Sequence, residues 1–319
     1  MKTAIITGVS GQDGSYLASF LLKKKYKVVG TIRNSDYDKI SNHLYLGIEK
    51  DINLEQVDLL NMNDVAKIVQ KYKPDEIYNL AAQSSVSLSF VKPNETFMFN
   101  TISVNNLLES IRLYSPNTKF YQASSSEMYG NSKSMPINIK TTMQPISPYG
   151  VSKMASYYMA KTFRHCFKLF ICNGILFNHE SFLRNKNYFI KKIIRDSIEI
   201  KNGKLDKLVV GNLDLKRDFG FAPKYVEAMW KILQQQAPCD ILICSGKPVV
   251  LRDIVEYVFN KLHINKNKIF ESKELFRLNE IYEIYGDNSD AKKKLDWQYD
   301  LSFYDVLDVL IKEEIKNYK

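Results

Sequence analysis

Cysteine and histidine are both scarce in this chain. Its 319 residues include four cysteines and four histidines, at Cys166, Cys172, Cys239 and Cys244 and at His43, His165, His179 and His263. The cysteines show no CxxC or other metal-ligand spacing, so neither a zinc site nor a disulfide framework is expected. This scarcity predicts a reduced, cytoplasmic protein that holds no metal.

Long apolar runs are also missing. The apolar run before Gly8 is too short for a secretory signal, and no stretch approaches the roughly 18 uninterrupted apolar residues of a membrane-spanning helix. We therefore expect neither secretion nor a membrane partner.

Arginine is rare among the basic residues. The chain has 45 lysines and arginines against 35 acidic residues, a formal net charge of +10, and only eight of the 45 are arginines. The charge would suit an anionic ligand such as a nucleotide, although solvated helix faces explain the lysine runs more simply. Because no basic stripe with interleaved aromatic residues is present, a nucleic-acid partner is not expected.

The chain does contain an alternation of strand-like and helix-like segments. Predicted strands at residues 3–6, 27–32, 54–57, 76–80 and 119–123 alternate with predicted helices at 16–24, 63–71 and 93–113. This order predicts an α/β fold, with a Rossmann-type doubly wound parallel sheet and helices on both of its faces.

The rhythm of the sequence changes after residue 178. A helix that ends near 167 and a strand at 169–176 precede this point, and shorter elements follow it, with helices near 223–234, 251–262 and 303–316. We therefore predict a cofactor-binding domain at residues 1–177, to which the chain returns near 210–235. Residues 178–319 would form a smaller mixed α/β substrate-binding domain.

Three glycines, Gly8, Gly11 and Gly14, form a GxxGxxG pattern between the first strand and the first helix. Glycine lets the backbone turn tightly and approach a diphosphate, whose charge then lies at the N-terminus of the helix. Gln12 and Asp13 lie within the pattern. The context predicts a dinucleotide site that includes all five residues, and the alternative is an ordinary turn between strand and helix.

The end of the second predicted strand indicates which dinucleotide is bound. Arg33, followed by Asn34 and Ser35, offers a cation and polar donors to a 2′-phosphate, which favours NADP. Asp36, close by, keeps NAD as the alternative. Further cofactor contacts are expected where the third and fourth strands end, from Asp58, Leu59, Leu80, Ala81 and Gln83.

Four further residues form a candidate catalytic set. Tyr149 and Lys153 are four apart and share one face of a predicted helix. A lysine cation beside a phenol lowers the pKa of the tyrosine from about 10 and makes it a general base. Ser125 and Glu127 follow a strand whose end should face the cofactor, and on extended backbone they would point the same way. The hydroxyl would polarise a carbonyl oxygen and the carboxylate would move a proton.

These motifs resemble a known family. The glycine turn, the serine cluster and the YxxxK pair are similar in type and order to those of the extended short-chain dehydrogenase/reductase superfamily of nucleotide-sugar enzymes. The segments TGVSGQDGSYLA, YNLAAQSSV, FYQASSSEMYG, SPYGVSK, NGILFNHES, GNLDLKRDFG and YVEAMW resemble the GDP-mannose 4,6-dehydratase family within it. The match begins at residue 7 and continues, more weakly, to residue 297.

The resemblance implies an NADP-dependent dehydratase that converts GDP-mannose to GDP-4-dehydro-6-deoxymannose. Tyr149, aided by Lys153, would take the proton of the sugar 4-hydroxyl while C4 gives a hydride to the dinucleotide. Glu127 would remove the C5 proton and help to expel the C6 hydroxyl as water, after which the hydride returns to C6. Ser125, where the family commonly has threonine, would polarise the 4-oxygen.

The resemblance also implies which residues hold the GDP-sugar. They are Ser84 or Ser85 at the hexose, Asn178, Arg217 and Arg277 at the diphosphate, Glu280 at the ribose, and Lys192 elsewhere in the substrate site. For Arg217, the spacing alone leaves a salt bridge to Asp218 or Asp214 as an equal alternative.

The chain departs from the family after NHES, where Phe182-Leu183-Arg184-Asn185 replaces Pro-Arg-Arg-Gly. Another GDP-sugar, such as a manno-heptose or an N-acetylhexosamine, is therefore an alternative substrate. A 4-epimerase, which needs no carboxylate at Glu127, and a non-catalytic cofactor-sensing protein are alternative functions. The family further implies a homodimer or homotetramer.

Overall fold

The computed structural model describes residues 1–33 and 41–318. The strands are β1 (Thr3–Thr7), β2 (Lys27–Ile32), β3 (Asn53–Gln56), β4 (Glu76–Asn79), β5 (Lys119–Ser125), β6 (Ile171–Leu176), β7 (Asn178–Glu180), β8 (Leu208–Val210), β9 (Lys216–Phe221), β10 (Asp240–Ile243), β11 (Pro248–Val250), β12 (Ile269–Glu271) and β13 (Glu283–Ile284). The helices are α1 (Gln12–Lys23), α2 (Ser41–Leu46), α3 (Met62–Tyr72), α4 (Val86–Val91), α5 (Pro93–Tyr114), α6 (Pro148–Phe167), α7 (Phe189–Lys201), α8 (Ala222–Leu233), α9 (Leu251–Leu262), α10 (Ser289–Leu295) and α11 (Phe303–Lys316).

The described residues form a large parallel sheet in the order β10-β6-β5-β4-β1-β2-β3. Apolar side chains of α1, α8 and α10 pack on one face of this sheet, and those of α3, α5 and α6 pack on the other. The strand order reverses between β1 and β4, which is the point where open α/β sheets bind their ligands. The prediction of a Rossmann-type doubly wound sheet is confirmed.

A second layer follows the sixth strand. Here β9 pairs with β11, β13 and β7, while β8 pairs with β12. The apolar faces of α7, α9 and α11 form a separate core beneath these short strands. This smaller layer borders the carboxyl end of the large sheet, because β7 begins two residues after β6 ends.

The chain returns to the large sheet beyond the predicted segment. Helix α8 packs against α1, and β10 then adds the outermost strand beside β6. The return therefore continues past residue 235, and α10 extends it again near the C-terminus. The division at residue 177 stays a prediction.

The described residues contain no helix that combines the length and the hydropathy needed to cross a bilayer. Within the same ranges, no group of three or more histidine, cysteine, aspartate or glutamate side chains is arranged to hold a metal ion.

Candidate active site

The glycine turn joins β1 directly to α1. Gly8 has a φ of +68°, a value that L side chains rarely adopt, and the Gly11 amide donates to the Gly8 carbonyl across 3.0 Å. A Cβ atom on Gly14 would lie 2.3 Å from the same carbonyl oxygen. Because α1 starts at Gln12, the turn leads directly into the first amides of the helix, and its glycines leave this backbone open to close approach.

A hydrogen-bonded threonine connects the two strands at the reversal of strand order. The Thr7 hydroxyl donates to Asn79 Oδ1 (2.6 Å) and accepts from the amides of Leu80 and Ala81 (3.1 Å each). These contacts hold the ends of β1 and β4 side by side. Leu80 and Ala81 therefore border the glycine turn, where the sequence predicts cofactor contacts.

The predicted cofactor residues beyond this point lie in different surroundings. Arg33 and Asp58 are exposed beyond the ends of β2 and β3, whereas Leu59 is buried. The Gln83 side chain donates to the Ser85 carbonyl (3.0 Å) and to Thr96 Oγ1 (2.9 Å), so it fixes its own loop. Asn34, Ser35 and Asp36, the remaining residues of the NADP prediction, lie outside the described residues.

Tyr149 and Lys153 lie in the first turns of α6. Ser147 caps this helix by accepting from the Gly150 amide (3.0 Å), which aligns both side chains toward the end of β5. Lys153 Nζ donates to the Ala123 carbonyl (2.8 Å) and lies 5.9 Å from the centroid of the Tyr149 ring. The two residues therefore face the sheet edge together.

The expected effect of Lys153 on Tyr149 is wrong for this arrangement. Burial raises the pKa of Tyr149, and the hydrogen bond with the Ser125 hydroxyl opposes that shift. Burial lowers the pKa of Lys153 to about 8. The physical reason is that both groups are buried and the ammonium is hydrogen-bonded to a backbone carbonyl, so solvation dominates both shifts.

Ser125 and Glu127 reach the same space by a different route from the one expected. Residues Ser126–Tyr129 form a 3-10 turn, so the argument from extended backbone is wrong. The turn is closed by the Ser125 hydroxyl, which accepts from the Glu127 amide (3.2 Å). The Ser125 hydroxyl lowers the pKa of the Tyr149 phenol and the Glu127 carboxylate raises it, so both groups lie near that phenol. Sequence reasoning grouped these residues correctly but for the wrong geometric reason.

Arg217 is a buried cation on β9. It is 5% exposed and donates to the carbonyl of Lys216 (2.9 Å). The alternative salt bridges are not formed, because Asp218 accepts from Ser245 and Gly246 while Asp214 pairs with Arg252 (2.9 Å).

The charges around Arg217 come from both sides of the cleft. Burial lowers the pKa of Arg217 to about 10, Glu127 opposes this shift, and Arg277 adds to it. The Arg277 amide donates to Glu280 Oε1 (3.1 Å), which places these two residues on one turn beside Arg217. Two arginines that influence each other electrostatically in this way favour an anionic ligand.

The remaining predicted substrate residues are spread along the cleft. The Ser84 hydroxyl lies 2.6 Å from that of Tyr188, whereas Ser85 caps α4 by accepting from the Leu88 amide. Asn178 begins β7. Lys192 donates to the Val209 carbonyl (2.9 Å) and pairs with Asp196 (2.9 Å). Contacts of these residues with a substrate stay predictions.

Sequence reasoning missed the side chains that join the glycine turn to the second layer. His179 Nε2 lies 2.8 Å from Asp13 Oδ2, and the Ser181 hydroxyl donates to Gln12 Oε1 (2.7 Å). The guanidinium of Arg184 lies over the Tyr188 ring at 3.8 Å. The available signal was the NHES segment itself, which contains a histidine beside the predicted diphosphate ligand Asn178.

A doubly wound parallel sheet, a glycine turn at its strand reversal and a buried Tyr-Lys pair beside a serine define an enzyme of the extended short-chain dehydrogenase/reductase class. The sequence model described as GDP-mannose 4,6 dehydratase matches residues 5–310. The chain belongs to the GDP-mannose 4,6-dehydratase family, as the motifs indicated.

Individual relatives cover nearly the whole chain. GDP-mannose 4,6 dehydratase from Cricetulus griseus is 38% identical over 343 residues, which cover 99% of this chain and 92% of that protein. GDP-mannose 4,6 dehydratase 2 from Arabidopsis thaliana is 38% identical over 326 residues, covering 99% of this chain and 87% of that protein.

Solved structures show the same fold. UDP-glucose 4-epimerase from Thermotoga maritima, determined with UDP-glucose, superposes with a TM-score of 0.88 at 20% identity and covers 99% of this chain and 100% of its own. dTDP-glucose 4,6-dehydratase from Bacillus anthracis, in complex with NAD, gives a TM-score of 0.87 at 20% identity, with 99% and 97% coverage.

Proposed function

We propose that this protein is a GDP-mannose 4,6-dehydratase that converts GDP-mannose to GDP-4-dehydro-6-deoxy-D-mannose. One observation carries the proposal: the 3-10 turn that Ser125 closes places the Glu127 carboxylate close enough to the buried phenol of Tyr149 to influence it electrostatically. A base, a hydrogen-bond donor and a proton-transferring carboxylate thus surround one space. A 4-epimerase needs only the first two, so the carboxylate favours elimination of water. Membership of the family supports the same reaction.

We propose NADP as the cofactor, with NAD as the alternative. The close approach of Gly14 to the Gly8 carbonyl leaves a backbone cradle that fits a diphosphate. Leu80 and Ala81 border this cradle, and the exposed Arg33 beyond β2 supports recognition of a 2′-phosphate. The glycine turn, Leu80 and Ala81 would hold the dinucleotide, which would supply the hydride chemistry by which C4 of the hexose is oxidised and C6 reduced.

The protein's own groups move the protons. Only the phenolate of Tyr149 can take the proton of the 4-hydroxyl, and the Ser125 hydroxyl lowers the pKa of that phenol against the effect of burial. The same hydroxyl donates a hydrogen bond to the carbonyl oxygen that forms. Because this carbonyl acidifies C5, Glu127 can remove the C5 proton and transfer it to the C6 hydroxyl, which leaves as water. The proton held by Tyr149 returns to C5. The net change is the loss of one water molecule.

The nucleotide end of the substrate would be held by the second layer. Arg217 and Arg277 supply two cations to the diphosphate, and Glu280 accepts from the guanosine ribose. The burial of Arg217 supports this role, because its guanidinium donates to the backbone carbonyls of Lys216 and Tyr282, and a buried cation held by neutral carbonyls is best stabilised by an anionic ligand. Asn178, at the start of β7, extends the same side of the cleft.

The test is incubation of the purified protein with GDP-mannose and NADP, followed by mass spectrometry. We expect a product lighter than the substrate by one water, with a carbonyl that borohydride reduces. An isomer of unchanged mass would support the epimerase instead. Parallel reactions with a GDP-manno-heptose and a GDP-N-acetylhexosamine would identify another preferred sugar, and absence of turnover with every sugar would overturn the proposal.

We also propose that the protein is a homo-oligomer in which a second copy covers the outer face of α5 and α6. Large apolar side chains are exposed on both helices, including Phe97, Met98 and Ile102 on α5 and Tyr158 and Met159 on α6. These two helices pack against each other, so the apolar side chains lie on adjacent helices, as a self-complementary dimer contact requires. Light scattering should give a mass of at least two chains, and Met98→Glu should reduce it to one.

A further inference from the structure

An ion pair between the buried His179 and the partly exposed Asp13 joins the glycine turn to the strand that follows the large sheet. The Asp13 carboxylate, in the first turn of α1, lies 2.8 Å from His179 Nε2. The other ring nitrogen, Nδ1, lies 2.7 Å from the Phe177 carbonyl oxygen. A carbonyl and an ionised carboxylate can only accept, so His179 satisfies both contacts only by donating from both nitrogens. A neutral imidazole beside a protonated carboxyl would make the same two contacts, but the pKa of Asp13 is lowered and that of His179 is raised, which favours the imidazolium and the carboxylate.

The imidazolium affects the charge at the proposed diphosphate site because Asp13 lies in the first turn of α1. The N-terminus of α1 favours negative charge, and a diphosphate bound there uses that preference. A carboxylate in the same turn competes for the favourable field and repels the diphosphate. The imidazolium of His179 cancels the carboxylate charge, and the Tyr225 ring, stacked on the imidazole with centroids 4.6 Å apart, holds it in place.

The charged and titratable groups around the pair favour its ionised form. Burial alone would raise the pKa of Asp13. The opposing effects of His179 and, next in size, Arg184 together outweigh burial, so the pKa of Asp13 is lowered. Burial alone would lower the pKa of His179, and Arg184 has a smaller effect in the same direction. Asp13 outweighs both, so the pKa of His179 is raised. Glu180 on the same strand, Tyr225 on α8 and Tyr121 on β5 complete the titratable groups that face the pair.

We propose that His179 sets the affinity for the dinucleotide by neutralising Asp13, so that the glycine turn presents no net negative charge to the cofactor diphosphate. His179 is thus a positioning residue that acts through Asp13. This inference rests on the proposed function, because it assumes that a nicotinamide dinucleotide binds at α1. The inference assigns control of dinucleotide binding, at the glycine turn of the large sheet, to His179 in the second layer.

A double-mutant cycle on the full-length protein separates charge from structure. NADPH affinity would be measured by fluorescence titration at neutral pH for His179→Gln, Asp13→Asn and the double variant. His179→Gln keeps a donor but removes the charge, and we expect its dissociation constant to rise about tenfold, the order expected for one uncompensated charge. Removing the carboxylate as well should restore most of this loss. His165→Gln, which changes an exposed helical histidine, is the matched control.

The outcomes of the cycle are distinct. If the double variant binds as weakly as His179→Gln, or if His179→Gln binds like the wild type, the charge role is overturned. If the wild type binds neither NADPH nor NADH, the proposed function fails with it. Should His179→Gln not fold, Asp13→Asn carries the test, because its affinity should vary with pH less than that of the wild type.

Histidine NMR supplies a readout that does not depend on activity. In the wild type, the His179 Cε1 resonance should titrate above the usual pKa of about 6.5, and in Asp13→Asn its midpoint should fall. Added NADPH should move the wild-type midpoint upward, because binding and protonation are linked reciprocally. A midpoint at or below the usual value, or one that NADPH leaves in place, would overturn the proposal.

Discussion

The Tyr188 hydroxyl lies 2.6 Å from the Ser84 hydroxyl and spans the cleft between the loop after β4 and the start of α7. The guanidinium of Arg184 covers the Tyr188 ring at 3.8 Å, and Tyr188 is close enough to influence Tyr149 electrostatically. The pair therefore borders the space where the hexose of the proposed substrate would react. The hydroxyls of Ser84 and Tyr188 can hydrogen-bond the sugar only if a bond to the sugar replaces the bond between them or forms in addition to it.

The first prediction concerns this hydroxyl. Tyr188→Phe keeps the ring under Arg184 and removes one hydrogen bond, whose net contribution is about 0.5 to 1.5 kcal/mol. We expect KM for GDP-mannose to rise about three- to tenfold with a smaller change in kcat, because the bond would form with both the ground state and the transition state. Steady-state kinetics measure this split. Tyr114→Phe, at the exposed end of α5, is the control, and an unchanged KM in Tyr188→Phe would exclude contact with the hexose.

The second prediction separates oxidation from elimination. Glu127→Gln removes the group that transfers the C5 proton but leaves Tyr149 and Ser125 in place. We expect kcat for water loss to fall at least about a hundredfold, the usual contribution of a general acid–base. NADPH should still form in a single turnover, because oxidation at C4 does not use Glu127. Rapid-mixing absorbance measures the NADPH, and mass spectrometry measures the dehydrated product.

Two results would contradict the assignment of Glu127. One is water loss at the wild-type rate in Glu127→Gln. The other is bound dinucleotide without any NADPH formed in the presence of GDP-mannose, which would place Glu127 in the oxidation step. Glu274→Gln, at an exposed glutamate, controls for the loss of one negative charge.

Much of the fold was predictable because its signals are local. The strand at 27–32 and the helices at 251–262 and 303–316 match β2, α9 and α11 residue for residue. Their apolar residues recur with the period of the element, and this pattern needs no tertiary information. By contrast, α1 begins at Gln12 rather than at 16, because the glycine turn leads straight into the helix and contributes polar residues to its first turn.

That Tyr149, Lys153, Ser125 and Glu127 lie near one another was predictable, whereas their geometry was less so. Tyr149 and Lys153 share a face because a helix fixes their spacing. The position of Glu127 depends on a 3-10 turn closed by Ser125, and the surroundings of Lys153 depend on the Ala123 carbonyl of another element. Contacts between segments distant in sequence, such as Asp13 with His179, leave no periodic trace in a single sequence.

The third prediction uses the buried lysine. Burial lowers the pKa of Lys153 to about 8 in the folded protein, against about 10.4 for an unfolded chain, so the unfolded state binds more protons between these values. Wild-type stability therefore gains as pH rises through this window, by up to about 3 kcal/mol. Lys153→Met lacks the titration and should be more stable than the wild type near pH 7. Because the Ala123 carbonyl loses its donor, this advantage should vanish or reverse above pH 10.4.

Denaturant unfolding without dinucleotide at a series of pH values measures this difference. Lys133→Met, at an exposed loop lysine, should show no comparable dependence on pH relative to the wild type. A constant difference between Lys153→Met and the wild type would mean that Lys153 is not desolvated as its burial indicates.

The last prediction follows from the burial of Arg217, which has opposite consequences for the free protein and for the complex. A guanidinium that is 5% exposed and hydrogen-bonded to backbone carbonyls has lost most of its hydration, and burial lowers the pKa of Arg217 despite the opposing effects of Glu127 and Glu280. Replacing such a charge with an apolar side chain of similar length is often neutral or stabilising. Arg217→Met should therefore unfold at the same temperature as the wild type or above it, while GDP no longer raises the midpoint, because a ligand stabilises a protein only by binding its folded state.

Thermal unfolding with and without GDP measures both effects on one sample. Arg252→Met breaks the surface pairs with Asp214 and Glu271 and should retain the shift caused by GDP. If Arg217→Met keeps the full GDP shift, then Arg217 serves the fold rather than the diphosphate, and the nucleotide end of the proposed site must be assigned to other residues.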